Sequence, residues 1–186
     1  MRIISGKLKG KKLYLPEDKK TRPLRDVVKE SIFNLIEHSK KINTSIQRSV
    51  VLDLFSGSGS FGLECISRGS KNVYFFENYP EAIKILNKNI KILKDNQKFY
   101  IMEHNCFDYF NSNKNLDTKF DIIFIDPPYK ELKINQLIEN IIEKKILNND
   151  GVIIVHRHKK DNIKITNKLK VFEERTYGIS KIFFGN

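Results

Sequence analysis

The sequence is poor in cysteine and has no long apolar run. Only Cys65 and Cys106 occur among its 186 residues, which excludes a secreted scaffold held by disulfides and favours a reducing cytoplasm. No apolar run approaches the roughly 18 residues of a membrane-spanning helix, and residues 1–12 are too polar for a signal peptide. We therefore expect a cytoplasmic protein with no membrane partner.

Acidic residues are scarce relative to basic ones. The sequence has 22 Asp and Glu against 34 Lys and Arg, which gives a net charge of +12 and an isoelectric point near 9.6. Residues 1–25 hold nine basic side chains and two acidic ones, a local net charge of +7. A basic arm of this kind suits a polyanion, most often nucleic acid. The alternative is a lysine-rich surface that is simply solvated.

Apolar spacing divides the chain into an extension, a linker and a main domain. Residues 1–40 predict two short extended pieces and a helix, and residues 41–49 are polar enough for a linker. Over residues 50–186, short apolar runs alternate with amphipathic helices, which predicts a doubly wound, parallel α/β sheet. The predicted strands are 50–55, 72–77, 99–104, 121–126 and 151–155, with two more around 172 and 182–184, and the predicted helices include 80–93 and 134–141.

A glycine-rich turn follows the first predicted strand. Gly57, Gly59 and Gly62 match the pattern G-x-G-x-x-G, and glycines let a backbone turn tightly and approach a ligand. A phosphate P-loop is excluded because Leu63 stands where that motif requires Lys. A dinucleotide and S-adenosylmethionine remain as the two candidate ligands.

Two acidic residues at strand ends bear on this choice. Asp53 would repel a pyrophosphate but could hold the cationic methionine moiety of S-adenosylmethionine. The alternative is that Asp53 only balances the partial charge of a helix N-terminus. Glu77 ends the second strand, where a carboxylate can accept the ribose hydroxyls of either ligand. Taken alone, Glu77 fits a solvated strand end equally well.

The tetrapeptide Asp126-Pro127-Pro128-Tyr129 follows the fourth strand, at the edge where open α/β sheets bind ligands. Two prolines fix the backbone and remove two donors, so the Asp126 carboxylate and the Pro127 carbonyl form a pair of acceptors. Such a pair fits the two hydrogens of an exocyclic amine, and Tyr129 offers a ring on which a base can stack. The alternative interpretation is an ordinary turn.

The paired acceptors suit methylation of an amine. The amine lone pair is shared with the ring of the base, and hydrogen bonds to two acceptors would turn it towards a methyl donor. Because a sulfonium is already a strong electrophile, orientation supplies most of the catalysis, about 7–11 kcal/mol for well-placed reactants. A base in structured RNA must swing out to reach such a pocket.

These motifs together resemble a known family. The glycine turn and the tetrapeptide are similar to those of class I S-adenosylmethionine-dependent amino-methyltransferases. The chain resembles the bacterial 16S ribosomal RNA guanine-N2 methyltransferases of the RsmD type at residues 1–7, 21–23, 29–34, 51–59 and 177–178. The resemblance implies a Rossmann-like, seven-stranded sheet with helices on both faces and a small N-terminal extension. It also implies S-adenosylmethionine as cofactor and a guanine of 16S ribosomal RNA, in the assembling small subunit, as substrate.

The motifs and the resemblance assign roles to individual residues. The candidate catalytic residues are Asp126, Pro127, Pro128 and Tyr129. The candidate cofactor-binding residues are Asp53, Phe55, Ser56, Gly57, Ser58, Gly59, Glu77, Asn78, Asn105 and Cys106. The candidate RNA-binding residues are Arg2, Lys7, Arg22, Pro23, Arg25 and Lys29.

Some positions depart from the pattern of the family that the chain resembles. Val27 stands where Arg is usual, which moves the expected RNA contact to Arg25. Asn105 stands where Asp is common, and its amide oxygen could still accept from the adenine amine. His156 stands where Glu is usual; it and His158 have no further ligands nearby, so we expect no metal.

Other functions would use parts of the same pattern. A methyltransferase acting on DNA adenine N6 or on protein glutamine would carry the same tetrapeptide. A nicotinamide-dependent oxidoreductase would carry the glycine turn, and a non-catalytic RNA-binding assembly factor would carry the basic arm. The prediction from all features together is a monomeric ribosomal RNA guanine-N2 methyltransferase.

Overall fold

The computed structural model describes residues 1–18, 24–93, 98–112, 114 and 116–186. The strands are β1 Val50–Leu54, β2 Asn72–Phe76, β3 Lys98–Met102, β4 Phe120–Ile125, β5 Leu147–His158, β6 Val171–Tyr177 and β7 Ser180–Gly185. The α-helices are α1 Asp26–His38, α2 Ser60–Ser67, α3 Pro80–Ile90, α4 Cys106–Asn111 and α5 Ile134–Glu143, and Gly6–Leu8 form a 3-10 turn.

The seven strands form one sheet in the order β3-β2-β1-β4-β5-β7-β6. Strands β1 to β5 pair in parallel, and β7 is antiparallel to both of its neighbours. The predicted seven-stranded α/β fold is confirmed. Leu54 is in register with both Phe76 and Ile125, so β2, β1 and β4 end side by side. The strand order reverses between β1 and β4, which is where such sheets bind ligands.

Helices cover both faces because the central strands are apolar on both sides. Val51–Leu54 of β1 are all buried, and in β4 Asp121 alone is less than fully buried. Helices α1, α2 and α3 pack on one face, where the ring of Phe61 stacks between those of Phe33 and Phe124 at centroid distances of 5.2 and 4.1 Å. Helices α4 and α5 contribute to the core on the other face.

The N-terminal residues fold onto the same core as the sheet. The amide of Ile3 donates to the carbonyl of Lys11 at 2.9 Å, which closes a small hairpin-like loop. Ile3 is fully buried, and Ile42 and Ile46 of the expected linker are buried in the same apolar cluster. The predicted division into 1–40, 41–49 and 50–186 is therefore not a division between separate cores.

The outer part of the sheet departs most from the predicted boundaries. β5 begins four residues before the predicted strand 151–155, because Leu147 pairs with Phe120 across a bulge. It ends three residues after that strand, because its last residues pair with β7 as far as His158 and Ser180. β6, at the edge, is largely exposed, and the ammonium of Lys41 lies 2.7 Å from a carboxylate oxygen of Glu173 on that strand. No helix in the described ranges is both long and apolar enough to cross a membrane.

Candidate active site

The loop after β1 is held in an unusual backbone conformation. Phe55 has a φ of 61°, in the left-handed region that a bulky side chain rarely adopts. Ser56 fixes the loop on two sides, since its amide donates to the carbonyl of Phe76 at 2.9 Å and its hydroxyl donates to the carbonyl of Asp53 at 2.6 Å. Strain of this kind persists where the surroundings impose it, often at ligand sites.

The three glycines of the turn have different roles. A Cβ at Gly59 would lie 2.4 Å from Leu86 Cδ1, and a Cβ at Gly62 would lie 2.3 Å from Phe75 Cε1. These two glycines therefore allow α2 and α3 to pack closely on the sheet. A Cβ at Gly57 would meet no atom closer than 4.0 Å, so this residue borders open space.

Asn89 on α3 ties the glycine turn to the N-terminal segment. Its buried amide nitrogen donates to the carbonyls of Ser58 and Tyr14, at 2.9 and 3.0 Å. Its amide oxygen accepts from the backbone nitrogen of Tyr14 at 2.8 Å. Sequence reasoning missed Asn89 because an Asn within an amphipathic helix resembles an ordinary surface residue.

Asp53 lies at the end of β1 and is buried. Its Oδ2 accepts from the amide of Gly62 in α2 at 3.0 Å. Burial raises the pKa of Asp53 well above its usual value; the Gly62 hydrogen bond opposes this shift, and the charges of Asp126 and Glu77 add to it. The bond to α2 agrees with the helix-terminus interpretation, and the three neighbouring carboxyl groups also suit a cationic ligand.

Glu77 directly follows β2, and its carboxylate accepts hydrogen bonds from three backbone amides. Its Oε2 accepts from the amide of Gly57 at 2.8 Å, and its Oε1 accepts from the amides of Asn78 and Tyr79, both at 2.9 Å. An ionised carboxylate has about four acceptor directions, so one remains for a ligand hydroxyl. The solvated-strand-end interpretation does not describe this residue, which is buried and accepts hydrogen bonds from three backbone amides. Asn78 itself is exposed.

Asn105 and Cys106 form the beginning of α4. The Oδ1 of Asn105 caps this helix by accepting from the amides of Phe107 and Asp108, at 2.9 and 3.4 Å. The expectation that this oxygen receives the adenine amine is therefore corrected, because it already accepts two backbone donors. Cys106 is buried, which raises the pKa of its thiol to about 12. The ring of Phe107 lies 5.5 Å from that of Phe55 and is the side chain of α4 that faces the glycine turn.

The tetrapeptide leaves β4 directly beside the glycine turn. The carboxylate oxygen Oδ1 of Asp126 lies 2.7 Å from Nδ1 of His156 on β5. The carbonyl of Pro127 takes no hydrogen bond from the described part of the chain, so it stays available as an acceptor. Tyr129 is partly buried, and its ring meets the edge of His158 at a centroid distance of 5.0 Å.

The guanidinium of Arg157 binds three backbone carbonyls of the loop that begins with the tetrapeptide. Its side chain is almost completely buried, and Nη2 donates to the carbonyls of Tyr129 and Glu131 at 3.0 and 3.1 Å. Nη1 donates to the carbonyl of Pro128 at 3.4 Å, and Asp161 pairs with the guanidinium. Sequence reasoning missed Arg157; the available signal was an Arg within the apolar run of β5.

Comparison with known proteins identifies the family. A family model described as "Conserved hypothetical protein 95" matches residues 1–186. The chain belongs to this family. It is 31% identical to Ribosomal RNA small subunit methyltransferase D of Haemophilus influenzae, over 96% of this chain and 90% of that protein. It is 32% identical to the protein of the same name from Buchnera aphidicola subsp. Baizongia pistaciae, over 89% of this chain and 80% of that one.

Solved structures agree with this family assignment. The Haemophilus influenzae protein HI0767 has a TM-score of 0.76 at 30% identity, with 99% of this chain and 96% of that chain covered. The ribosomal protein L11 methylase of Lactobacillus delbrueckii has a TM-score of 0.65 at 16% identity, over 86% of this chain and 77% of that one, and it shows a shared fold. The predicted resemblance to the RsmD type is confirmed.

The candidate RNA-binding residues differ in their accessibility. In this Conserved hypothetical protein 95 family member, Arg2, Lys7 and Arg25 are exposed at the N-terminal side of the fold. Arg22 and Pro23 lie outside the described residues. The prediction for Lys29 is wrong: this side chain is fully buried, where its ammonium donates to the carbonyl of Arg2 at 2.7 Å.

Groups of three or more His, Cys, Asp or Glu side chains that could hold a metal do not occur in the described ranges. His156 is instead bonded to Asp126, and His158 accepts at Nδ1 from the amide of Lys160 at 3.1 Å. The absence of a metal requirement stays a prediction.

Proposed function

We propose that this chain transfers a methyl group from S-adenosylmethionine to the N2 amine of a guanine in 16S ribosomal RNA, within the assembling small subunit. The observation that carries the proposal is the pair of acceptors after β4, the Asp126 carboxylate and the Pro127 carbonyl, beside the glycine turn after β1. The names of the relatives support ribosomal RNA of the small subunit as the substrate.

The residues after β1 and β2 fit S-adenosylmethionine, whose sulfonium supplies an electrophilic methyl group when it is bound. Gly57 borders the space that such a ligand needs, and Glu77 retains an acceptor direction for a ribose hydroxyl. Asp53 is buried next to two further carboxyl groups, which favours a cation at this point. The rings of Phe55 and Phe107 offer apolar surfaces for an adenine.

The residues after β4 would position the target base. Asp126 and the carbonyl of Pro127 would accept the two N2 hydrogens, which directs the nitrogen lone pair towards the methyl carbon, and Tyr129 would stack on the base. The bound donor would supply the methyl group, and the electron pair of its carbon–sulfur bond would stay on sulfur as the nitrogen–carbon bond forms. The amine nitrogen becomes positive, a charge that the Asp126 carboxylate stabilises, and the surplus N–H proton then leaves through this carboxylate to solvent.

Transfer of labelled methyl to purified small subunits that lack this modification tests the proposal. We expect label in N2-methylguanine, identified by mass spectrometry of nucleosides. Asp126→Ala should lower turnover about 100- to 1000-fold, the cost of one lost group that stabilises the reacting charge. Calorimetry should show unchanged binding of S-adenosylmethionine to this variant, and Asp150→Ala, which removes an exposed carboxylate on β5, should behave as wild type.

The same assay separates the alternative functions. Label in DNA adenine or in protein glutamine, with none in ribosomal RNA, would replace the substrate but keep the reaction class. Binding of NADH without binding of S-adenosylmethionine, measured by fluorescence titration, would favour an oxidoreductase. RNA binding without any methyl transfer would favour an assembly factor.

The exposed basic residues near the N-terminus are our proposed RNA contacts. Arg2, Lys7 and Arg25 are accessible, and phosphates of a structured RNA attract such side chains irrespective of sequence. Arg25 immediately precedes α1, and Asp26 at the start of that helix lies 3.7 Å from Arg2. Arg2 and Arg25 therefore lie near the first turn of α1, and Lys7 lies in the 3-10 turn of the N-terminal loop.

A further inference from the structure

The structure brings His156 of β5 against the proposed catalytic carboxylate. β5 lies next to β4, with Val155 in register with Ile125, so the residues that follow each of them are neighbours. His156 Nδ1 lies 2.7 Å from Oδ1 of Asp126, and the imidazole is 95% buried, since 5% of its surface is exposed. The ring of Tyr129 meets the imidazole edge-on, at a centroid distance of 6.2 Å.

The contacts of the imidazole decide which nitrogen carries the hydrogen. An ionised Asp126 is an acceptor only, so Nδ1 must be the donor in this pair. Nε2 of His156 is buried and has no partner within the described residues. Nδ1 therefore carries the hydrogen that His156 shares with Asp126.

We propose that His156 is a positioning residue, which acts through Asp126 and does not touch the substrate. The terminal torsion of an Asp side chain is broad and poorly defined by itself. A hydrogen bond from Nδ1 to Oδ1 fixes this torsion and leaves Oδ2 for the amine of the base. This role deepens the proposed function and rests on it, because the orientation of Asp126 matters only if Asp126 holds the reacting amine.

Two substitutions separate positioning from mere packing. His156→Leu replaces the imidazole with an apolar side chain of similar length that has no donor. In His156→Asn, the side-chain amide nitrogen lies close to the place of Nδ1 and can donate instead. We expect His156→Leu to lower kcat about 10- to 100-fold, as expected for loss of a hydrogen bond to a charged group. KM for S-adenosylmethionine should stay within about twofold, and His156→Asn should recover most of kcat.

The control is His38→Leu, which replaces an exposed histidine at the end of α1 and should retain wild-type kcat. Wild-type kcat in His156→Leu would overturn the proposal, as would equal losses in the Leu and Asn variants. A thermal unfolding scan of both variants checks that they fold. The proposal would also be overturned if kcat fell in proportion to the fraction of folded protein, whether or not the substituted side chain has a donor.

A second measurement does not depend on methyl transfer. In protein labelled with nitrogen-15 at histidine, nuclear magnetic resonance distinguishes protonated from unprotonated ring nitrogens. The spectrum of the His156→Leu variant identifies the signals that belong to His156. We expect Nδ1 to be protonated; a bare Nδ1 would overturn the positioning role. A protonated Nδ1 in a protein that transfers no methyl to RNA would instead sink the proposed function and leave the hydrogen bond in place.

Discussion

The guanidinium of Arg157 lies buried beneath the loop that carries the candidate catalytic residues. It binds the carbonyls of Pro128, Tyr129 and Glu131 and pairs with Asp161. A planar group with five donors suits such a cluster of acceptors better than an ammonium does. One buried residue thereby determines where the backbone of the loop lies, although it comes about 30 positions later in the chain.

Arg157→Met should destabilise the protein and disorder this loop. Loss of one partner from a buried, hydrogen-bonded ion pair costs about 3–5 kcal/mol, and three carbonyls lose their donor. Urea denaturation measures the change in the free energy of unfolding. Arg157→Lys, which keeps the charge but loses the planar fork, should lie between wild type and Arg157→Met. A loss below about 1 kcal/mol in Arg157→Met would contradict this account.

Asp53 should give the protein a distinctive dependence of stability on pH. Because burial raises the pKa of Asp53 in the folded state, the folded protein holds a proton that the unfolded chain releases near the ordinary value of 3.8. The contribution of this residue to stability is therefore complete below pH 3.8 and is lost as pH rises through the elevated pKa. Asp53→Asn, which stays neutral, should lack this loss.

Stability curves of wild type and Asp53→Asn, measured by urea denaturation across pH 4–8, test this linkage. As pH rises, the free energy of unfolding of wild type should fall relative to that of Asp53→Asn. A bound cation would stabilise the ionised carboxylate, so binding of S-adenosylmethionine should release protons in the same range of pH, which calorimetry in buffers of different ionisation enthalpy detects. Parallel stability curves would remove Asp53 from this role.

Residue roles could be predicted where the pattern is local. Asp126–Tyr129 and the glycine turn are contiguous motifs, so their position at the sheet edge followed from the strands before them. His156, Arg157 and Asn89 could not be assigned, because the groups of the site that they bind lie 26–75 positions away and meet them only when the strands and helices pack.

At the level of elements, a buried ion pair joins α1 to α2. The ammonium of Lys29 lies 3.5 Å from Oε2 of Glu64, and both side chains are fully buried. The two carboxylate oxygens of Glu64 also accept from the amides of Ile4 and Ser5, at 2.7 and 2.9 Å. Burial lowers the pKa of Lys29, and the charge of Glu64 opposes that shift. The pair thus anchors the N-terminal loop to the helix that follows the glycine turn.

Helix α1 shows what the spacing of apolar residues can predict and what it cannot. The apolar spacing of four residues predicts this helix: Val28, Ile32, Leu35 and Ile36. The structure buries all of them except Leu35, which is partly buried. Lys29 lies on the same face as the buried residues, since Phe33 and Ile36 follow it at intervals of four and seven. The resemblance to the RsmD type nevertheless implied an RNA contact at Lys29, because sequence alone did not reveal Glu64 as its partner.

Lys29→Met should therefore affect stability and leave the electrostatics of RNA binding unchanged. We expect a loss of about 1.5–3 kcal/mol in the free energy of unfolding, the cost of losing hydrogen bonds to a charged group. The buried Glu64 carboxylate loses one of its two cations and keeps Arg68, whose Nε lies 2.9 Å from Oε1, while the carbonyl of Arg2 loses its donor. Arg25→Ala, at an exposed residue, should change stability by less than about 0.5 kcal/mol. If Lys29→Met left stability intact but weakened RNA binding as Arg25→Ala does, the ion-pair account would be wrong.

Over the whole molecule, charge and topology separate the two proposed binding functions. The cofactor and base would meet at the carboxyl ends of β1, β2 and β4, where carboxylates gather, while exposed cations near the N-terminus would hold the RNA backbone. The alternation of strands and helices predicted the parallel part of the sheet. The family resemblance implied seven strands, but the order of β7 and β6 was not predicted, since apolar runs do not specify which edge a strand joins.

The salt dependence of RNA binding tests this division. Replacing Arg2, Lys7 and Arg25 together with Ala should weaken binding and reduce the slope of log K against log salt by about 2, since each contact to single-stranded phosphate contributes about 0.7. Fluorescence anisotropy with an RNA fragment measures the slope. The charge-matched control replaces exposed lysines elsewhere, Lys40, Lys84 and Lys170; an equal reduction there would indicate diffuse charge and no defined contact surface.

The exposed edge strand β6 has a consequence for solubility. An outermost strand presents free backbone groups to which another polypeptide can add, the first step of fibril growth. On β6, Glu173 pairs with both Lys41 and Arg175, and Glu174 pairs with Lys181. Addition of another strand would require these side chains to lose water and their ion-pair partners. The charges therefore oppose aggregation in a concentrated solution of the protein.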